Sequence, residues 1–243
     1  MKVVNNLTGQ QTLKLAKAIL LYESSETTMA TLHKVKHWGG YDDEGAVIGP
    51  GRVLTREALS ALLARMSGRQ ERWILPEHTL VADGLLLAWY SPERTLPIFF
   101  NSSDKKFNDA VNGRCVIYPP MLFVAQASGV RVFALGARER PAADSPLFRA
   151  PFFNLYGGNM EGLMCRGNVA LPASLAPDSI PAWERTFFET QFTHSNMHGE
   201  KLTLHPNGHN GLWRDMVESG EQKAFPLEHL VRLRLTVKEV VNL

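Results

Sequence analysis

Residues 151–172 read Pro-Phe-Phe-Asn-Leu-Tyr-Gly-Gly-Asn-Met-Glu-Gly-Leu-Met-Cys-Arg-Gly-Asn-Val-Ala-Leu-Pro, and the fold turns on what this stretch does. A short apolar segment, Phe152 to Tyr156, runs into Gly157, Gly158, Gly162 and Gly167, so Cys165 is expected in an irregular loop and not inside a strand. A buried cysteine is most often only a small hydrophobe. Here the surroundings point elsewhere, because Arg166 puts a cation next to the thiol in sequence and Asn154 offers an upstream side-chain amide. A thiolate nucleophile with an amide aimed at a developing oxyanion is an acyl-transfer arrangement.

Upstream of this loop, short apolar runs recur at Thr79–Ala82, Leu85–Tyr90, Leu96–Phe100, Val116–Ile117, Met121–Gln126 and Val130–Leu135. Turn pairs such as Asp83-Gly84, Ser91-Pro92 and Ser128-Gly129 separate them, which predicts an antiparallel meander. Residues 136–151 turn polar and Pro-rich and read as a connection. Ahead of the meander, Thr55 is an N-cap for a helix over 56–66 that Gly68 ends. Two candidate strands, Leu13–Tyr22 and Met29–His37, predict an N-terminal hairpin, and Gly39-Gly40, Gly45 and Gly49-Pro50-Gly51 read as a long turn after it.

Downstream, Asp178 and Ser179 as caps and Pro181 in the first turn predict a helix from about Ser179 that ends near His194. Trp183, Phe187, Phe188 and Phe192 form its core-facing stripe, and Glu184 and Glu189 its solvated face. Residues 197–223, rich in His, Gly and Asn, read as loop, and Leu227–Val241 as an apolar segment of either type. The fold class is α+β, an antiparallel β-meander flanked by helices with an N-terminal β extension. Its parts are a hairpin extension at 1–50, a core at 51–200 and a C-terminal extension packed on the core at 201–243.

Composition removes several function classes. Lys and Arg number 26 against 24 Asp and Glu, and no run of like charge appears, so no nucleic-acid arm and no polybasic membrane patch is expected. No apolar run reaches the length of a membrane helix, and Lys14 and Lys17 interrupt the N-terminal apolar stretch, so it does not read as a signal peptide. Two cysteines fifty positions apart make no metal or disulfide framework, and a reducing, cytoplasmic location is the expectation. Cys115 reads as a residue buried at a strand edge and serves as the control for Cys165.

Four histidines give a competing chemistry. His194, His198, His205 and His209 form two His-x3-His pairs, a spacing that places two imidazoles on one helical face. However, Gly199, Pro206, Gly208 and Gly211 oppose a continuous helix, and no Glu accompanies either pair. They read as loop histidines, and neither metal nor other cofactor is expected. His194 alone, in Phe192-Thr-His-Ser-Asn after the aromatic helix, is a candidate base or orienter for the cysteine loop.

Tyr118-Pro-Pro-Met-Leu-Phe, Pro151-Phe-Phe-Asn-Leu-Tyr, Cys165-Arg-Gly, Ala182-Trp-Glu-Arg-Thr-Phe-Phe and Phe192-Thr-His-Ser-Asn together resemble the PRTRC system protein B family. That family belongs to the prokaryotic ubiquitin-conjugating-enzyme-like proteins, family D. The likeness is best from Tyr118 to Asn196. It implies a ubiquitin-conjugating-enzyme-like fold with helix, four-stranded meander, cysteine loop and packing helix in that order. It also implies that Cys165 accepts a small ubiquitin-like protein as a thioester from a ThiF-type activating enzyme of a plasmid-associated cassette. The His-Pro-Asn triplet of the eukaryotic enzymes corresponds here to Phe152-Phe153-Asn154, so only Asn154 carries over, eleven positions ahead of Cys165. The rival expectation is a non-catalytic module of the same fold that docks one of those partners.

Overall fold

The computed structural model describes residues 16–23, 28–38, 45–55, 58–59, 73–197, 199–220 and 223–243. The chain divides into two compact units, Met1–Arg72 and Trp73–Leu243.

In the first unit β1 (Lys17–Glu23), β2 (Thr28–Trp38) and β3 (Gly45–Val53) form one antiparallel sheet in chain order. The expected hairpin is β1-β2. The long turn expected around Gly49-Pro50-Gly51 is instead a strand, and β3 runs through the boundary drawn at residue 50. Its glycines have a packing reason. Gly51 lies against the His33 imidazole, where a Cβ would stand 2.3 Å from Cε1, and His33 Nδ1 bonds the Gly49 carbonyl at 2.7 Å. Pro50 falls where the register shifts between the pairs of His33 and Val35, so its missing N–H breaks no ladder bond. The helix expected over 56–66 lies, apart from Ala58 and Leu59, outside the described residues. At its start the Thr55 hydroxyl accepts the Ala58 N–H at 3.2 Å.

The second unit is built on six antiparallel strands, β4 (Thr79–Ala82), β5 (Leu86–Ser91), β8 (Met121–Gln126), β9 (Gly129–Leu135), β10 (Pro146–Arg149) and β11 (Arg232–Thr236). Their order in the sheet is β11-β10-β9-β8-β5-β4. Between β5 and β8 the chain leaves the sheet as β6 (Arg94–Ile98), α1 (Lys105–Val111) and β7 (Arg114–Tyr118), with β6 and β7 forming a separate two-stranded ladder among the described residues. The antiparallel meander thus holds with one excursion from it: Pro97 inside β6 lacks a ladder donor, and Pro119-Pro120 turns the chain back. Helix α1 was not anticipated. Asp104 caps it through the Phe107 N–H, and Asn112 ties its end to both backbone groups of Phe100.

Both faces of the sheet are covered, which is why β5 and β8 read as continuous apolar runs. One face carries Leu87, Trp89, Met121, Phe123 and Val132, in one core cluster with Trp183 and Phe187 of α2 (Ile180–Phe188) and Leu212, Trp213 and Met216 of α3 (Gly208–Ser219). The other face carries Ala88, Leu122, Val124 and Phe133 against Val237 and Val240 of α4 (Val237–Val240). Each such large side chain contributes about 1.5–3 kcal/mol by leaving water.

Several boundaries differ from expectation. Helix α2 stops at Phe188, short of His194, and the extended chain beyond it lets Phe192 pair with Phe100 and stay buried. The 197–223 stretch contains helix α3, because burying Leu212, Trp213 and Met216 outweighs the cost of its glycines. Strand β10 lies inside the stretch taken as a connection, with Leu147 and Arg149 buried. Glu184 is not a solvated residue: it accepts the Trp89 indole N–H at 3.1 Å and both terminal nitrogens of Arg94. Among the described residues no helix is long and apolar enough to cross a membrane.

Candidate functional site

Phe152 fixes the entry to the cysteine loop. Its ring is fully buried, stacked on Tyr118 and flanked by Phe187, Phe192 and Trp213, while the Trp213 indole donates to the Pro151 carbonyl at 3.0 Å. Phe153 stacks on the His209 imidazole at 4.1 Å. Burial among these rings pushes the His209 pKa down to about 4.

Asn154 follows with φ 65°, the non-glycine left-handed residue among those described. Asn tolerates that region better than other side chains do, because its short polar group bonds locally. Its Nδ2 donates to the Gln191 carbonyl at 3.0 Å, and its Oδ1 accepts the Thr193 N–H at 3.1 Å and the Thr193 hydroxyl at 2.8 Å. Its own N–H donates to the His194 carbonyl at 3.0 Å. Its carbonyl accepts the Cys165 N–H at 2.7 Å.

The ten residues between them therefore form a closed loop. Leu155 bridges Met164 in antiparallel fashion, the Tyr156 N–H donates to the Leu163 carbonyl at 2.9 Å, and a single 3-10 turn over Gly158–Met160 completes a small hairpin. The hairpin is stitched to β9 by Met164 N–H to the Val130 carbonyl at 2.9 Å and Val132 N–H to the Gly162 carbonyl at 2.8 Å. Gly162 sits at φ 75°, and a Cβ there would meet the Phe133 ring at 2.8 Å and the Val132 carbonyl at 2.9 Å.

A buried ion pair holds the tip. Glu161 Oε1 and Oε2 receive Arg149 Nε and Nη2 at 2.8 Å each, and Oε2 also accepts the Gly158 N–H at 3.2 Å. Arg149 reaches Glu200 and the Lys201 carbonyl as well. The Glu161 bond, reinforced by the charges of Glu161 and Glu200, keeps the guanidinium ionised despite burial.

Cys165 is half-buried at a pocket of about 200 Å³ lined by Tyr156, Gly129, Val130, Arg166, Gly167 and Leu171 among others. Tyr156 lines this pocket beside Cys165, and the neighbouring sulfur group holds the phenol above its ordinary range.

The three expected site residues thus meet in different ways. Cys165 and Asn154 are joined through backbone, and the Asn154 amide is engaged with Gln191. His194 touches the site through its carbonyl, while its exposed ring bonds the Thr193 hydroxyl at 3.0 Å. Cys115 is exposed on β7, against the expected strand-edge burial, because the β6-β7 ladder turns that side chain outward. His205 bonds Asp215 at 3.0 Å and His209 accepts the Trp213 indole N–H at 3.1 Å, so these two imidazoles serve separate local contacts, and His198 lies outside the described residues. Tyr156, Glu161 and Arg149 were missed. The alternation Asn154-x-Tyr156 and Leu163-x-Cys165 on either side of a glycine turn was the available signal for Tyr156.

Residues 55–233, well over half of the chain, match the family model described as Prokaryotic E2 family D. No curated protein and no solved structure matches the chain.

Proposed function

The chain belongs to prokaryotic E2 family D, and we propose that it carries a ubiquitin-like protein as a thioester on Cys165. The observation that supports this reading most is the closure of the Asn154–Cys165 interval: a half-exposed thiol at a pocket, on a loop pinned by a 2.7 Å backbone bond and a buried ion pair. The donor is a ThiF-type activating enzyme bearing the modifier on its own cysteine. In the transfer the Cys165 thiolate attacks the thioester carbonyl carbon, the new C–S bond forms, and the tetrahedral adduct collapses with departure of the activating enzyme's thiolate. One thiol proton goes to solvent and one returns to the leaving sulfur, so the exchange is balanced without a further reagent.

In this reading Asn154 acts as a positioning residue, and His194 contributes the carbonyl that holds Asn154. The experiment is incubation with the cassette's activating enzyme, ubiquitin-like protein and ATP. A thiol-reducible adduct that disappears with Cys165→Ala and survives Cys115→Ala is expected.

A second reading, a docking module without transfer, is favoured by one observation: the Asn154 amide donates to Gln191 in the resting structure. It predicts tight partner binding that is indifferent to Cys165→Ala.

A further inference from the structure

We infer that Tyr156 supplies the hydrogen bond to the oxyanion formed when Cys165 takes an acyl group, the task the sequence pattern assigns to Asn154. This deepens the thioester reading and rests on it.

The placement follows from the hairpin. Leu155 opposes Met164, so Asn154 opposes Cys165 and Tyr156 opposes Leu163. Side chains alternate along each arm, which puts Tyr156 and Cys165 on one face as diagonal cross-strand neighbours. Such neighbours stand about 7–8 Å apart, within the reach of an aromatic side chain. Both residues line the same pocket of about 200 Å³. Asn154 shares that face by position, but its left-handed backbone and its bonds to Gln191 and Thr193 commit its side chain to the 191–193 segment. No hydrogen bond commits the Tyr156 hydroxyl elsewhere among the described residues, and its phenol is protonated at neutral pH as any tyrosine is, the neighbouring Cys165 raising its pKa further. A neutral phenol is a donor and not a base. During addition the carbonyl oxygen becomes an alkoxide beside the sulfur, and the Tyr156 O–H donates to it. When the old C–S bond breaks, the carbonyl reforms and the hydroxyl keeps its proton.

The test uses the full chain with Cys115→Ser and a small acyl donor, the benzyl mercaptan thioester of N-acetylglycine. Acylation of Cys165 is followed by mass spectrometry beside its alkylation by iodoacetamide, a reaction that forms no oxyanion. Tyr156→Phe is expected to slow acylation by about a hundredfold, the usual effect of losing one such donor, to slow alkylation far less, and to leave the unfolding midpoint unchanged. Equal slowing of both reactions makes Tyr156 merely structural and overturns the inference. So does an unchanged acylation rate while the parent protein is acylated. A parent protein that takes no acyl group on Cys165 sinks the thioester reading, and the inference with it.

Discussion

The Asn154 carbonyl accepts the Cys165 N–H at 2.7 Å, and this bond closes the base of a hairpin made by the ten residues between them, which are not a free glycine loop. Asn154 meets its own constraint with a left-handed backbone and a side chain bonded at both ends.

Replacing Asn154 separates its two contributions. Asn154→Gly keeps the backbone conformation and loses the side-chain bonds, at about 1–3 kcal/mol for buried groups left unpaired. Asn154→Ala adds roughly 1 kcal/mol of left-handed strain. Urea unfolding is expected to rank wild type above Gly above Ala, and a reversed order of the two variants would remove the strain argument.

Breaking the Arg149–Glu161 pair is expected to cost about 3–5 kcal/mol, because Glu161→Ala leaves a buried guanidinium short of its bidentate partner. Amide exchange should accelerate first at Gly158, whose N–H bonds Glu161. Uniform exchange along the chain would mean that the pair does not act on the loop.

Two glycines of the loop differ in kind. Gly167 has φ 52° and open space around it, so Gly167→Ala costs about 1 kcal/mol of backbone strain. Gly162→Ala adds collisions with the Phe133 ring and the Val132 backbone, and its cost rises by about 1–3 kcal/mol more. Thermal unfolding of the two variants checks the difference.

His209 makes stability depend on pH. Its pKa in the folded chain is about 4, below the ordinary 6.5, so between those values the unfolded chain binds more protons. Stability is therefore full above about pH 6.5 and falls as pH drops toward 4, by on the order of 3 kcal/mol. Denaturation curves at pH 7 and pH 5, with His209→Phe as comparison, test the slope; a variant that loses as much as wild type would place the effect elsewhere.

The central strands and the α2 stripe were legible because burial on one or two faces leaves a periodic trace: Met121–Gln126 and Thr79–Ala82 match the sequence reading to the residue. What escaped was set by pairs distant in sequence. Helix α3 contains Gly208 and Gly211 and exists because Trp213 fits beside Phe152. Strand β3 holds a proline that only a register shift accommodates. In the site, Cys165 and Asn154 stood out by residue type, whereas Tyr156 resembles any loop aromatic until the hairpin register is known. Glu161 and Arg149 lie twelve positions apart, and no local pattern links them.

Whether residue 165 carries the modifier is decided by Cys165→Ser, incubated with the activating enzyme, the ubiquitin-like protein and ATP. An ester linked to residue 165 that resists thiol and yields to alkali, where the wild-type adduct yields to thiol, is the predicted result. An adduct that remains thiol-labile in Cys165→Ser, mapping to Cys115, would contradict it.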